Sequence, residues 1–410
     1  MASQGREYEI VLLGATGYTG SLTAEYIAKH LPTDLKWAVA GRSEAKLAAI
    51  VQKIRTWNPD RPLPAIEVCA LGKEELNVLA RKTRLVITAV GPFAIYGTPV
   101  VEACANNGTH YVDTTGEFPW TLDMIKRYHE TAKANGAVMI PQFGIESAPH
   151  DLLSWCLVTK IREKFSVGTK EVLFTIDEMS FDVSGGTLAT ILNFFDQYSM
   201  KALLEAGKPW AHSPIKGTET PNPEGLLGVR RDPTLGLLSN SSLTQEANRS
   251  VVHRSWGLIG NGTVYGPKFQ YREYMRTSGY IAGNIPRLVM SVVMLFLLLP
   301  PVRWLARKLN HQPGSGPDVE SPKAGNCEFS AVGIADQNVA SPDRALATMK
   351  YKGTTYQLTG LLVAEAAMTI LREKTLASKL GGGLLTPAML GRPILDRLEK
   401  AGVAFETRAL

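Results

Sequence analysis

The stretch that decides the fold is EYEIVLLGATGYTGSLTAEYIAKH, Glu7 to His30. Tyr8 to Leu13 is an unbroken apolar run, the composition of a strand buried on both faces. Residues 18–30 read as a helix, and between the two stand Gly14, Gly17 and Gly20, spaced three apart. Strand, glycine loop and helix in that order form the context a dinucleotide-binding loop needs. The first glycine permits the tight turn, the second lets backbone approach a pyrophosphate, and the third lets helix and strand pack closely. The helix N-terminus then offers free N–H groups and partial positive charge to the phosphates. Thr16, Tyr18 and Thr19 complete the loop, and the two threonines can donate hydroxyl hydrogen bonds. The competing reading is a plain glycine turn, so the rest of the chain must arbitrate.

The same rhythm continues for 145 residues. Strand patterns lie at 36–41, 65–71, 84–92, 110–115 and 136–142, with helical patterns at 43–55, 73–82, 98–108 and 117–134 between them. In the fourth helix Pro99 suits the first turn and Gly108 the stop. Continuous strands alternating with helices imply a doubly wound, Rossmann-type parallel sheet, an α/β domain over residues 1–145. Beyond it the pattern becomes α+β, read as a substrate domain over 146–355 and a C-terminal helix and tail over 356–410. Residues 171–181 are strand-like, 184–192 form a glycine turn into a helix, 207–250 read as extended loops, and 353–373 as a strand followed by a strongly apolar helix. Residues 310–325 form a polar Pro/Gly/Ser linker.

The second strand sets the cofactor's flavour. NAD-binding folds place an acidic residue at its end to hold the ribose hydroxyls. Here the end reads Gly41-Arg42-Ser43, with Lys46 one turn on. An arginine fork and a hydroxyl suit a 2′-phosphate, which makes NADP(H) the expected cofactor. A solvated surface arginine is the alternative. Val90, Gly91 and Pro92 leave the fourth strand where bare backbone can approach the nicotinamide half.

The composition narrows the classes. The chain has 410 residues, 45% hydrophobic and 20% charged, with a net charge of +6, which describes an ordinary globular protein of about two domains. It carries no dense Lys/Arg tract of the kind that follows nucleic acid. Cys69, Cys104, Cys156 and Cys327 match no metal spacing, so no metal site is expected, and a reducing, cytoplasmic setting fits. No Walker loop, paired-histidine helix or Ser/His/Asp order supports a kinase or hydrolase.

GATGYTG, AGRSEAKL, GPFAIYGTPVVEACANNGTHYVDTTGE and FGIESAPHDL together resemble the saccharopine dehydrogenase-like oxidoreductases, and in particular the trans-acting enoyl reductases of lipid and polyketide biosynthesis. The likeness continues through SGGTLATIL (184–192) and the tail at 381–406. It implies NADP(H), an apolar acyl or polyketide substrate that a carrier protein can hold, and a C-terminal segment that packs back on the first domain. One departure stands out: the group's G-F-D-S-x-P-x-D-L reads Gly144-Ile145-Glu146-Ser147-Ala148-Pro149-His150-Asp151-Leu152 here. Glu146 keeps the charge and moves it by one methylene.

For proton chemistry the candidates are Asp113 at the end of the fifth strand, Tyr96 in the loop after GPF, and Glu117 at the start of the next helix. Each has a structural alternative: a turn former, a packing ring and a helix-start carboxylate. His150 is a fourth candidate, since a histidine can titrate near neutrality, and its structural alternative is a surface or capping role. The uncharged run 288–302 would span roughly 22 Å as a helix, short of a hydrocarbon core of about 30 Å. With Trp304, Arg303, Arg307 and Lys308 behind it, the segment 281–308 reads as an insertion into one leaflet or a lipid-tunnel wall, and otherwise as a buried core helix or a homodimer interface. The function expected is an NADPH-dependent reductase of an enoyl acyl group. The alternatives are an imine or carbonyl reductase of saccharopine dehydrogenase type, and a lipid-droplet or membrane-associated nucleotide-binding protein without turnover.

Overall fold

A computed structural model describes residues 5–179, 196–220, 228–242, 244–297, 299, 301–304 and 325–410. The described residues form two seven-stranded sheets. The first contains β1 (Tyr8–Leu13), β2 (Trp37–Gly41), β3 (Ala65–Val68), β4 (Thr83–Thr88), β5 (His110–Asp113) and β6 (Val138–Ile140). Five helices connect them: α1 (Tyr18–His30), α2 (Glu44–Trp57), α3 (Lys73–Lys82), α4 (Phe93–Asn106) and α5 (Phe118–Ala134). The strand order is 3-2-1-4-5-6 with β13 (Gly383–Leu384) added beside β6, and every pairing is parallel. Its apolar strands are explained by burial on two sides. Ile10 and Leu12 of β1 belong to one core cluster, and Val11 and Leu13 to the cluster on the opposite face. This is the doubly wound α/β architecture that the glycine loop and strand rhythm predicted.

The second sheet runs β14 (Ala404–Ala409), β12 (Arg344–Lys352), β11 (Asn326–Ala335), β7 (Thr169–Met179), β10 (Gln270–Arg276), β9 (Gly236–Ser239) and β8 (Val229–Asp232). Among the described strands of this sheet only β7 and β10 pair in parallel. The long helix α6 (Ala148–Phe165) lies on this sheet so closely that a Cβ on Gly333 of β11 would sit 2.8 Å from Ile161 Cδ1. Among the described residues the remaining helices are α7 (Met200–Ala206), α8 (Gln245–Leu258), α9 (Tyr280–Leu297), α10 (Thr355–Arg372), α11 (Leu376–Leu380) and α12 (Gly391–Lys400). Helix α10 crosses α1 with almost no gap: a Cβ on Gly360 would lie 3.1 Å from the Thr23 nitrogen. Tyr26 Oη donates to Glu365 Oε1 at 2.8 Å across the same contact. The C-terminal segment thus touches the first sheet through α10 and β13 and the second through β14.

Several sequence expectations change. Helix α4 begins at Phe93, not 98, so Pro99 lies inside it rather than in its first turn, and Tyr96 is helical rather than in a loop. Residues 229–239 form a hairpin where loops were expected; Asp232 Oδ1 accepts from the Thr234 and Leu235 amides, both at 2.9 Å, and closes the turn. Helix α8 was hidden because its buried face carries Asn248, His253, Arg254 and Ser255 rather than an apolar stripe. The strand expected at 353 ends at Lys352, and α10 starts two residues after Gly353 with a capping box between Thr354 and Gln357. All four cysteines are buried and free. The expected 184–192 helix, the linker at 310–324 and residues 305–308 lie outside the described residues.

The apolar segment is not a core helix. Helix α9 is exposed along most of its length, with Ile281 at 81% and Leu288 at 67%. It touches the rest of the chain at its base, where Ser239 Oγ donates to the Gly283 carbonyl at 2.6 Å. Among the described residues it alone is long and apolar enough to cross a membrane, by length and composition.

Candidate functional site

The glycine loop has the geometry its sequence implied. Gly14 leaves β1 at φ +88°, a left-handed conformation that side chains avoid. A Cβ there would lie 2.7 Å from Val90 Cγ2. Gly17 donates to the Gly14 carbonyl at 3.0 Å and opens α1, whose N-terminus has no side-chain cap and no acidic residue in its first turn. A Cβ on Gly20 would stand 2.0 Å from the Gly14 oxygen, so only glycine lets α1 pack this tightly on the strand exit. Thr16 is exposed and Thr19 half-buried at the mouth of the loop. The ring of Tyr18 meets Tyr356 of α10 edge-on at 4.9 Å, so the far end of the chain braces the loop. An uncapped helix N-terminus behind bare backbone is a cradle for phosphate.

Beside it, the Gly14 amide donates to the Ala40 carbonyl at 2.9 Å, joining the exits of β1 and β2. Arg42 follows Gly41, is exposed and makes no ion pair among the described residues. Ser43 Oγ accepts from the Lys46 amide at 3.4 Å as the N-cap of α2. Its oxygen is therefore engaged, while its O–H proton remains to be donated.

The exits of β4, β5 and β6 are tied by carboxylates. Glu117 accepts from the amides of Phe93 at 2.7 Å and Ala94 at 2.9 Å, one bond to each oxygen. It caps α4 rather than its own helix, and so holds the chain where it leaves Val90, Gly91 and Pro92. Asp113 Oδ1 accepts from the amides of Thr115 at 2.9 Å and Gln142 at 2.8 Å, while Oδ2 accepts from Tyr111 Oη at 2.6 Å. No part of Asp113 reaches solvent, and burial pushes its carboxyl up to about 6. Burial also raises Glu117. Tyr96, by contrast, stands 37% exposed on the first turn of α4. The three residues singled out for proton chemistry are thus separated: two are enclosed braces and one faces solvent.

The loop after β6 brings the second domain to this edge. From Pro141 to Ile145 every residue is buried; Glu146 is exposed, and Ser147 is buried again. Glu146 Oε2 lies against Gly116, where a Cβ would be 2.1 Å away. The residue as a whole is exposed, while protein walls in its carboxyl. Desolvation raises it, and the charges of Glu117 and Glu273 act in the same direction. Behind it is a polar cluster that sequence reasoning missed. Ser147 Oγ donates to Asn248 Oδ1 at 3.0 Å, and Asn248 Nδ2 donates to Glu273 Oε2 at 2.7 Å. Thr244 Oγ1 donates to Glu273 Oε1 at 2.7 Å. His150 is not a surface residue: it stacks on Phe174 with ring centroids 3.9 Å apart, and its Nδ1 lies 2.8 Å from Tyr271 Oη. Burial pushes it down to about 4, partly offset by Glu273. A histidine inside the helical run 148–165 with aromatic neighbours was the available signal; Glu273 gave none, because alternation in QYREYMR reads as a charged outer face.

Comparison with known proteins gives this geometry its context. Residues 10–140 match the family described as the saccharopine dehydrogenase NADP binding domain. The span runs from within β1 through the glycine loop to the end of β6, and the cradle fits a dinucleotide: NADP(H) is the cofactor. The chain is 30% identical, over 100% of both chains, to the trans-acting enoyl reductase of Mycobacterium ulcerans. It is 31% identical, again over 100% of both, to the trans-acting enoyl reductase of Mycobacterium tuberculosis. Among solved structures it is similar to saccharopine dehydrogenase (L-Glu forming) from Saccharomyces cerevisiae, with a TM-score of 0.58 over 98% of this chain and 100% of that one. At 14% identity that likeness concerns the fold.

Proposed function

The chain belongs to the trans-acting enoyl reductase family of saccharopine dehydrogenase-like, NADP(H)-dependent oxidoreductases, and from that premise we propose that it reduces the conjugated C=C bond of an acyl or polyketide thioester. The observation that carries this reading is the full-length likeness to relatives that bear that name. When bound, the reduced nicotinamide supplies a hydride to the β-carbon of the alkene. The chain's own residues bind and orient. Gly14, Gly17 and Gly20, with Thr16, Tyr18 and Thr19, form the pyrophosphate cradle. Gly41, Arg42 and Ser43 would receive the 2′-phosphate. Val90, Gly91 and Pro92, next to the amides that Glu117 holds, would line the nicotinamide half. Asp113 fixes the exits of β5 and β6 relative to each other.

NADPH consumption by the full chain, followed with enoyl thioesters carried on coenzyme A and on an acyl carrier protein, tests the reading. Saturable turnover of the alkene supports it. Turnover confined to an oxo acid with an amino acid would replace it with C=N reduction. Tight NADPH binding with no turnover would replace it with a non-catalytic nucleotide-binding role. Arg42→Ala should raise the KM for NADPH about 10–100-fold while leaving that for NADH unchanged, because hydrogen bonds to charged groups are worth about 1.5–3 kcal/mol.

The exposure of α9 favours a second element of the reading, a lipid surface as the docking partner. Ile281, Ile285, Leu288, Val292, Leu295 and Phe296 all face out of the protein. The bordering sequence, Arg303 and Trp304, has the aromatic–basic character of a headgroup region. Helix α9 then lies in one leaflet of a membrane or droplet and brings the cleft to an acyl chain. Co-sedimentation with anionic vesicles tests this. A concentration-dependent dimer that vanishes with Leu288→Glu would assign the face to a second copy of the chain instead.

A further inference from the structure

We propose that Glu146 is the group that delivers the proton to the substrate's α-carbon. The proposal rests on the enoyl-reductase reading above and adds to it the residue that completes the reduction.

Three carboxylates gather at the carboxyl edge of β5 and β6, and two of them are already committed. Both oxygens of Asp113 accept from three donors inside the core. Both oxygens of Glu117 accept backbone amides. Neither can reach a substrate without abandoning the bonds that hold the loops. Glu146 differs in every respect: it is exposed in the midst of a buried loop, and its carboxyl makes no hydrogen bond or ion pair among the described residues. It sits on the side of the sheet where doubly wound folds bind ligands. Its place there is kept by Gly116, since any side chain at 116 would fill the volume its Oε2 occupies. Gly116 adjoins Glu117, and Glu117 grips the first amides after Gly91 and Pro92. The carboxyl therefore stands one residue away from the brace that fixes the nicotinamide-side loop.

Among the described residues, the charged groups that act on it are all acidic. Glu117 faces it from the start of α5 and Glu273 from β10. Beyond Glu273 lies His150 of α6, held neutral by burial. Desolvation and two neighbouring carboxylates favour the protonated acid, the form a donor needs before the reaction. The balance is simple. Hydride forms the new C–H bond at the β-carbon, and the π pair moves to the α-carbon, delocalised over the thioester carbonyl. The O–H bond of Glu146 breaks as its proton forms the second C–H bond. The products are the saturated thioester and NADP⁺, and the carboxylate regains its proton from solvent between turnovers.

The test compares the full chain with Glu146→Gln, Glu146→Asp, Gly116→Ala and Tyr96→Phe. NADPH affinity is read from nicotinamide fluorescence, kcat and KM are read across pH, and deuterium incorporation is read in heavy water. The wild type should place solvent deuterium at the α-carbon, and its kcat should fall as pH rises through the pKa of the acid. Glu146→Gln should lower kcat about 10²–10⁴-fold, abolish that alkaline fall, and leave NADPH affinity unchanged. Glu146→Asp should recover part of kcat together with the fall. Gly116→Ala leaves the carboxyl in the chain but displaces it, and should lower kcat without altering NADPH affinity. In an enzyme that reduces enoyl thioesters, Glu146→Gln with wild-type kcat and an intact alkaline fall overturns the assignment. So does a loss of both in Tyr96→Phe alone, which would move the proton to the phenol. A wild type that binds NADPH and reduces no conjugated alkene overturns the enoyl reading itself, and the α-carbon proton with it.

Discussion

The two sheets build their share of the crevice from different materials. At the edge of the first sheet the working surface is backbone: three glycines, an uncapped helix N-terminus and the Gly91–Pro92 exit. Behind the edge of the second it is side chain: Ser147, Asn248, Tyr271 and Glu273 interlocked around His150. A backbone site has least tolerance where a Cβ would meet a neighbour, as at Gly14 and Gly20; at Gly17 and Gly91 a Cβ would make only ordinary contacts. A side-chain network can be rewired one partner at a time, at the cost of whichever buried group loses its bond. The edge of the first sheet is thus the rigid of the two and the cluster behind the second the adjustable one.

Substitutions can break this contrast, and the largest effect is expected on the backbone side. Gly20→Val should remove NADPH binding and most of the stability of the first domain, since its Cβ would meet the Gly14 oxygen and backbone has no room to give. Fluorescence titration and thermal unfolding would show it; a folded variant with normal affinity would mean that α1 can slide away.

The next effect concerns the second domain and is read through pH. Asp151 accepts from Ser255 Oγ at 2.8 Å and the Ala388 amide at 2.7 Å, and burial pushes its carboxyl up to about 7. Its folded value lies above the unfolded one of about 3.9, so the native state keeps the proton longer. That contribution is fully present below about pH 4 and is lost as pH rises through about 7. Asp151→Asn does not titrate, and relative to wild type it should gain on the order of 2–4 kcal/mol between about pH 4 and about pH 8. A stability difference that stays constant over this range would show that the carboxyl is ionised in place.

Smaller still is Glu117→Ala, which leaves one buried and one partly buried amide unpaired and should cost about 1–3 kcal/mol in thermal unfolding, with weakened NADPH binding. A variant that loses stability but keeps its affinity would separate the brace from the nicotinamide loop. Least of all, Leu288→Glu on the free face of α9 should change stability by no more than about 0.5 kcal/mol while abolishing vesicle binding.

How legible these features were follows the same division. The glycine loop, the six strands and the cofactor could be read in advance because their signals are local: a loop of seven residues contains its own physics. The start of α4 could not, because the carboxylate that caps it comes from 24 positions later in the chain. Glu117 looked like the cap of the helix it precedes, and it serves another. Helix α8 and the Glu273 cluster were illegible for a related reason. Their polar residues face inward and satisfy one another, while periodicity assumes that polar residues face water. In the apolar segment the composition was plain and the surroundings were not: the same sequence suits a core or a surface, and the exposure of α9 decides.

Strand β13 has a consequence for how the protein is made. Gly383 and Leu384 lie beside Val138 and Met139 and finish the edge of the sheet that begins with Tyr8. On the ribosome, β6 leaves the exit tunnel long before its last neighbour has been translated. Throughout that interval the nascent cofactor domain carries an unpaired strand edge of the kind that recruits the wrong partner. The gap is filled only after the whole second sheet save β14 has emerged. A domain that looks self-sufficient in sequence is therefore finished late, and chaperone dependence during synthesis should end only when residue 384 has cleared the tunnel.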